Sequence, residues 1–589
     1  MDSNARLILT ISISIAVFLG FQWLGMALGL HPTPTEPEAQ QVGQLPPEGG
    51  AAPAPGAAAP GDLPAAPGSP APQQRAAAPE RTVTLRSDEL DLGFSSHGAG
   101  LVRAILLGPK GQRQGGKDAP QVDLTEGLTP EDPVLFELRL GENFPETTGV
   151  RAPCTLGAHD DRSVAFVCRE AGLTIEKRFT LSGARNLDLD LDVRNEGPAP
   201  VGGALSLVVP ARIDPSRQSS GGGCGGFGGS PPQPTQAICR HGDGKIARLM
   251  PGDDESLLQP PGAASFAGFE ERYFLAVAVP FQPSTCELTS PNPDLLISYL
   301  KANTGSLAPG ASVKLRYQLV VGQKDMDFLE ASSAQIASQN VVANPRLDET
   351  VDLGFWAVIA RILLWLLRIF HLVIPNWGVA IILLTVTVKV VTLPLAWKSM
   401  KSMEEMRKLA PEIAELKKRY GDDREKLNLE TMKLYQQHKV NPLGGCLPML
   451  IQMPIWLALY TTLQTSVELY NEPFISGWIG DLTSKDPYYI LPLVMGATMF
   501  MTQKMQPMQM DATQAKIMLY FMPIFFTAIM LQLPAGLTLY IFVNNILSIG
   551  QQMLLRRQMG LPMIGAPQPL PAGQTTIEVK GGGKGKKQR

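Results

Sequence analysis

The feature that most constrains this sequence is a set of long apolar runs, each close to the roughly 20 residues a helix needs to cross a bilayer. They fall at 7–30, 377–397, 446–466, 488–503, 517–533 and 536–555. The rest of the chain is polar, so the whole-chain average conceals them. Read as membrane spans, they predict a bundle of six transmembrane helices. At 589 residues the chain also exceeds one domain, and at least two folded units are expected. The 51 Lys+Arg against 54 Asp+Glu exert no global pull toward nucleic acid or acidic lipid, and no DNA partner is expected.

The run at 7–30 follows Arg6. Ala27-Leu28-Gly29 is a passable cleavage triplet, but the run is longer than the usual 7–15-residue core of a signal peptide. It predicts a retained anchor over 1–31. Residues 32–80 are almost entirely Pro, Ala, Gly, Gln and Glu, which cannot bury enough apolar surface to offset chain entropy. A disordered tether is expected there.

From 81 to 325 short alternating segments are separated by Gly, Pro, Asn and Asp turns. Leu173-Thr174-Ile175-Glu176-Lys177-Arg178-Phe179 and Leu187-Asp188-Leu189-Asp190-Leu191-Asp192-Val193 are examples, as is Val313-Lys314-Leu315-Arg316-Tyr317-Gln318-Leu319. Period-two alternation predicts an antiparallel β-sandwich. Gly221, Gly223 and Gly226 have dinucleotide-fingerprint spacing, yet no strand precedes them and no helix follows, so a loop is the better reading. Five cysteines lie in this segment: Cys154, Cys168, Cys224, Cys239 and Cys286. In an oxidising compartment Cys154–Cys168 and Cys224–Cys239 are candidate bridges, with unpaired thiols equally open. Cys446 falls in a span, where packing is its expected role.

Residues 326–375 turn helical. Arg361 and Arg368 are seven apart, hence on one face, which fits a helix lying in the membrane interface. The remaining segments divide at 376–397, 441–466, 488–503, 517–533 and 536–555. The intervening 398–440 loop is crowded with Lys and Arg, and the 556–589 tail carries Arg556, Arg557, Lys580, Lys584, Lys586, Lys587 and Arg589. The 467–487 loop holds only Lys485. By the positive-inside rule both termini and the basic loop are cytoplasmic, with the β domain outside. Within 398–440, Met400, Met403, Met406, Leu409, Ile413 and Leu416 recur at helical spacing before Gly421-Asp422-Asp423 turns the chain. This predicts a helical hairpin with an apolar seam, a surface type that also accepts varied partners.

Lys389 carries the most chemical information. It stands about 12 Å of helix from the cytoplasmic end of its span. A cation at such depth costs roughly 2.5–3.5 kcal/mol and must face protein or water. No Asp or Glu lies within the last five spans to pair with it. Thr385 at i−4 and Thr392 at i+3 extend it into a polar stripe. Gln452, Tyr540, Asn544 and Asn545 are candidate groove residues on other spans, together with Thr462, Gln464, Thr498, Thr502, Gln532, Ser548 and Gln551. Snorkelling is the plain alternative for Lys389, and interhelical hydrogen bonding for the Thr and Asn residues. The spans at 488–503 and 517–533 are short, which thins the surrounding lipid. Pro394, Pro448, Pro454, Pro492 and Pro523 free carbonyls or simply shape their helices.

Several stretches resemble the YidC branch of the membrane protein insertases. Asn441-Pro442-Leu443-Gly444-Gly445-Cys446-Leu447-Pro448, followed by Ile451-Gln452-Met453-Pro454-Ile455, is similar to its most distinctive motif. Asp486-Pro487-Tyr488-Tyr489-Ile490-Leu491-Pro492 and Pro534-Ala535-Gly536-Leu537-Thr538-Leu539-Tyr540 with Asn544-Asn545 match later landmarks. The match is specific over 351–557 and weaker over 32–320. The resemblance implies a five-helix insertase core with a groove open to cytoplasm and lipid, an N-terminal anchor and a periplasmic domain, as in the Gram-negative inner membrane. It also implies nascent membrane proteins as clients and partnership with the Sec translocon and ribosomes. The family's groove cation is usually Arg, where this chain has Lys389, so loose attraction replaces a bidentate fork. Its paired aromatics in the last span are half kept, as Tyr540-Ile541. The basic tail suits ribosomal RNA or anionic lipid, or is a solvated end.

The resulting expectation is an insertase. An acidic client flank enters near Lys389 while its apolar helix slides out to lipid. A secondary transporter using Lys389 would call for an internal repeat, and none is visible. A scaffold would leave the intramembrane charge unexplained. No nucleophile elbow, HExxH or phosphate loop is present, so neither a catalytic residue nor a cofactor or metal is expected.

Overall fold

Period-two alternation sorts the strands of the β domain between two apolar cores. The computed structural model describes residues 79–560 apart from 115–118, 142–150, 171, 214–234, 251–252, 254–255, 340–343, 421–422, 439, 441–446, 506–516 and 559. The predicted anchor, nearly all of the tether, the Gly221–Gly226 loop, Cys224, Cys446 and the tail beyond 560 lie outside the described residues. The described residues from Arg81 onward belong to one compact unit.

A nine-stranded antiparallel sheet runs Ile246–Leu249, Gln236–Arg240, Phe266–Glu270, Phe274–Pro280, Ser312–Gln323, Asn186–Asn195, Leu173–Leu181, Ser163–Glu170 and Thr155–His159. A five-stranded sheet runs Leu257–Leu258, Ser284–Asn292, Leu295–Leu307, Val201–Arg212 and Glu137–Leu140. Leu187, Leu189, Leu191 and Val193 of the first meet Leu205, Leu207, Val209 and Leu288 of the second in one buried core. Each such side chain contributes about 1.5–3 kcal/mol. A three-stranded sheet of Thr82–Arg86, Leu90–Ser95 and Gly100–Leu106 closes one end, placing Phe94 4.8 Å from Phe179. The sandwich expected from the alternation is therefore present.

The opposite face of the nine-stranded sheet builds the second core. Ile238, Phe266, Leu275, Val277, Val279 and Val320 pack with Met326, Leu329 and Ile336 of helix α1 (Met326–Ala337). Asp325 caps α1, its carboxylate accepting from the Phe328 amide at 3.0 Å. This core continues into Leu363, Ile381, Leu459 and Leu537, so sheet and helical bundle share one apolar interior.

Two disulfides staple the domain. Cys154 bonds Cys168, directly across the outermost strand pair. Cys239 bonds Cys286, which corrects the expected Cys224–Cys239 pair. The bridged strands lie in different sheets, Gln236–Arg240 in one and Ser284–Asn292 in the other. Proximity across the sandwich, not proximity in sequence, selected the partner.

The helical part comprises α2 (Ala357–Val373), α3 (Trp377–Lys408), α4 (Ala410–Tyr420), α5 (Arg424–Gln437), α6 (Leu447–Thr465), α7 (Ile490–Met505), α8 (Met522–Met530) and α9 (Ala535–Gln558). A π-helical turn, Ile517–Phe521, leads into α8. Among the described residues one helix, Trp377–Met406, is long and apolar enough by itself to cross a membrane. Helix α3 does not stop at residue 397. It passes the exposed Pro394 and carries Met400, Met403 and Met406 on the same axis before a break at Leu409. The lost proline amide bond leaves only the Val390 carbonyl without its usual donor, on a face where no packing demands a bend. The hairpin proper is α4 and α5, with Asp423 capping the second arm through the Lys426 amide at 3.1 Å.

Helix α2 is divided into three sectors. Ala360, Leu363, Leu364 and Leu367 are buried against the bundle. Val358, Ile362, Trp365, Ile369 and Leu372 form an exposed apolar stripe. Arg361 and Arg368 lie along the edge between them, as their spacing predicts. Arg368 is held by Asp327 of α1 at 2.5 Å and by Glu468 beyond α6.

Candidate functional site

Helix α9 organises the polar groups of the bundle. Tyr540, Asn544 and Ser548 recur every four residues and therefore line one face. Near its start, Tyr540 is almost fully buried and its hydroxyl accepts a 2.6 Å hydrogen bond from Gln452 Nε2 on α6. Two turns later, Ser548 Oγ accepts from Lys389 Nζ on α3 at 2.8 Å. The Ser548 hydroxyl donates to the Asn544 carbonyl at 2.7 Å, so only its lone pairs face the ammonium. One helix thus reaches both α6 and α3 through one polar ladder.

Lys389 is half-buried at the boundary between two surfaces. On one side, Leu384 and Thr385 are buried in the bundle. On the other, Val386, Val390 and Val391 are exposed. Among the described residues the ammonium has one hydrogen-bond partner, Ser548, and no carboxylate. An ammonium carries three donors, so two remain for water or for a ligand.

The two threonines predicted to flank Lys389 each donate within their own helix. Thr385 Oγ1 donates to its own helix at Ile381 O, 2.7 Å away, and Thr392 Oγ1 donates to Val388 O at 2.8 Å. This back-bonding occupies each hydroxyl proton and leaves the lone pairs. Asn545 is buried, and its Nδ2 has no hydrogen-bond partner among the described residues. The structure therefore unites Lys389 with Ser548 and Asn544, and Gln452 with Tyr540. Thr385 and Thr392 donate within α3. The sequence places Ser548 among the polar groups of the last span without singling out its contact; its four-residue spacing from Asn544 is the available signal.

A second set of contacts has no sequence signal at all. The 467–487 segment between α6 and α7 docks on the β domain, where Tyr470 packs 4.6 Å from Tyr273. Lys110, on the turn Pro109–Gly111, donates to the carbonyls of Val467 and Glu468 at 3.2 and 2.6 Å. These contacts join residues more than 350 positions apart, with separations of 357 and 358.

Among the described residues no group of three or more His, Cys, Asp or Glu is placed to hold a metal ion.

Residues 369–561 match the family model described as 60Kd inner membrane protein, and residues 82–366 match that of the YidC periplasmic domain. A membrane protein insertase YidC of Anaeromyxobacter sp. (strain Fw109-5) is 42% identical over 496 residues, covering 83% of this chain and 87% of the relative. Another, from Geobacter metallireducens, is 34% identical over 502 residues, covering 83% and 88%. A crystal structure of an active YidC insertase with its first transmembrane domain resolved aligns at 17% identity over 81% of this chain and 92% of its own, with a TM-score of 0.34. On the strength of the sequence matches, the chain belongs to the YidC family of membrane protein insertases.

Proposed function

We propose that this protein inserts other proteins into the inner membrane through a hydrated groove bounded by α3, α6 and α9. The observation that carries the reading is Lys389, a cation among membrane helices whose one partner among the described residues is the Ser548 hydroxyl. A charge at this depth needs further acceptors, and water in a groove supplies them until a client does. An acidic or polar flank of a nascent membrane protein meets the ammonium, while the client's apolar helix leaves along the exposed valines of α3 into lipid. Burial of that helix, at about 25 cal/mol per Å² of apolar surface, supplies the driving force without nucleotide.

In this reading six helices cross the membrane, with the N-terminal run as anchor. Both termini and the α4–α5 hairpin are cytoplasmic, and the β-sandwich is periplasmic. The distribution of Lys and Arg supports that orientation. The Sec translocon and the ribosome are partners, the latter through the basic tail and cytoplasmic loops. Thr385, Thr392, Gln452, Tyr540, Asn544 and Asn545 belong to the groove walls, with the two threonines as packing residues.

The test is insertion of a single-span client into liposomes holding the purified protein. Lys389→Ala slows insertion and Lys389→Arg retains it; an unchanged rate for Lys389→Ala removes the groove cation from the mechanism. A photoreactive group beside residue 389 is expected to capture a ribosome-stalled nascent chain.

A further inference from the structure

The β domain grips the periplasmic end of the client-handling helices. Helix α6 ends at Thr465 and passes into a 3-10 turn, Val467–Leu469, whose Val467 carbonyl accepts from the Tyr470 amide at 3.1 Å. Lys110 Nζ adds a second donor to Val467 O, donates to Glu468 O, and lies 3.5 Å from the Glu472 carboxylate. A cation at a helix C-terminus is the favourable end for its charge. Arg272 donates to Gln464 Oε1 in the last turn of α6 at 2.7 Å. Beyond the turn, Tyr470 OH and Asn471 Nδ2 both donate to the Gln112 carbonyl, at 2.9 and 2.7 Å. Gln114 Nε2 donates to Thr483 Oγ1 at 2.9 Å, closing the far side.

The grip is apolar as well as polar. Val467 and Tyr470 are buried in the core of the β-sandwich itself, not in that of the helical bundle. Tyr470 stands 5.6 Å edge-on to Phe274 in addition to its contact with Tyr273. The gripping turn is held in shape by its own backbone. Gly108 has φ of 82°, and a Cβ on Gly111 would lie 2.4 Å from the Leu106 carbonyl oxygen. Neither position accepts a larger residue without distortion.

We propose that Lys110 and Asn471 are positioning residues for insertion: through them the β-sandwich fixes the periplasmic end of α6, and with it the placement of Gln452 against Tyr540. The proposal rests on the groove reading, since α6 is one of its walls. A fixed outer end confines the opening of α6 relative to α9 to the cytoplasmic half. Asn471 sits at φ of 54°, so glycine removes its side-chain bond without backbone strain.

The test uses the full chain in liposomes. Lys110→Ala combined with Asn471→Gly is expected to lower the insertion rate at least five-fold, while Lys110→Arg stays within two-fold of the parent. Hydrogen exchange in the sandwich strands serves as the folding control and is expected to match the parent. In the weakened protein, Gln114→Cys and Thr483→Cys joined by a short thiol cross-linker are expected to restore the rate. A parental rate in the weakened protein overturns the proposal, and so does a joined protein that stays slow. Because the joined and unjoined forms share every groove residue, this outcome is independent of the one obtained with Lys389→Ala.

Discussion

Lys389 and Ser548 stand 159 residues apart in sequence and meet at 2.8 Å across α3 and α9, with the Ser548 proton directed to Asn544 O at 2.7 Å. The serine therefore acts toward the lysine purely as an acceptor. It holds the ammonium beside the polar ladder of α9 without neutralising it. Placing an acid at this position separates charge from geometry. Ser548→Asp supplies a carboxylate within reach of the ammonium and is expected to slow insertion of a client with an acidic flank by about ten-fold, equivalent to about 1.4 kcal/mol. Ser548→Ala keeps the charge and is expected to stay within about two-fold. Liposome insertion assays with matched acidic and neutral flanks read the difference.

The disulfide pairing makes a quantitative prediction. Cys154–Cys168 spans a sequence separation of 14 and Cys239–Cys286 one of 47. Chain-entropy arguments give about 3 kcal/mol for the shorter loop and about 4 kcal/mol for the longer. Cys286→Ser is therefore expected to destabilise the sandwich more than Cys168→Ser, read as hydrogen exchange from its strands. A non-reducing peptide map of Cys224→Ser is expected to retain the Cys239–Cys286 cross-link.

Lys177 gives the β domain a pH dependence. Only 1% exposed, it donates to Phe136 O at 2.8 Å, and its ring contact with Phe179 is 5.4 Å. Burial pushes its ammonium down to about 7 from the usual 10.5, with Glu137 opposing the shift. The unfolded chain thus binds more protons than the folded one between about 7 and 10.5. Stability rises with pH across that window, by at most about 1.4 kcal/mol per unit, and the full penalty is present below it. Lys177→Met removes the dependence while leaving a carbonyl unpaired. Strand exchange compared between the two proteins is expected to show the parent gaining on the variant from pH 7 to pH 9.5.

The alternation of Leu187, Leu189, Leu191 and Val193 made the sandwich legible, because burial on one face of a strand has a strict period of two. The half-buried setting of Lys389 was legible for the same kind of reason: a charge within an apolar run must have an environment that tolerates it. Its partner was less so, since many polar residues on the last span satisfy the same requirement. The bonds that Thr385 and Thr392 make within α3 were not legible, because helical spacing places a residue on a face but does not say where its hydroxyl points. The Cys239 partner and the grip of Lys110 on Val467 and Glu468 were invisible. Both depend on how separate segments stack in space, which no local period encodes. The long course of α3 past Pro394 was equally hidden, because an exposed proline removes one amide bond without dictating a break.

Helices α7 and α8 approach each other at a point that a single methyl group would disturb. A Cβ on Gly496 would lie 2.0 Å from Thr527 Oγ1 and 3.3 Å from Thr527 Cβ. The threonine is β-branched, and its hydroxyl donates to Pro523 O at 2.7 Å, so it has little freedom to turn away. In lipid, close contact between small residues is a main source of helix association, because no hydrophobic gain separates helix from tail. Gly496→Ala therefore forces Thr527 out of its rotamer or the helices apart, at about 1–3 kcal/mol. Thr527→Ala alone removes a bond made within its own helix and is expected to have a smaller effect. Combined with Gly496→Ala it vacates the space the new methyl needs, so the double variant is expected to be more stable than Gly496→Ala alone. Such non-additivity is the signature of direct contact. Thermal unfolding of the four proteins in detergent, followed by size-exclusion recovery, measures it. A double variant no better than Gly496→Ala would show that the two helices do not meet at Thr527.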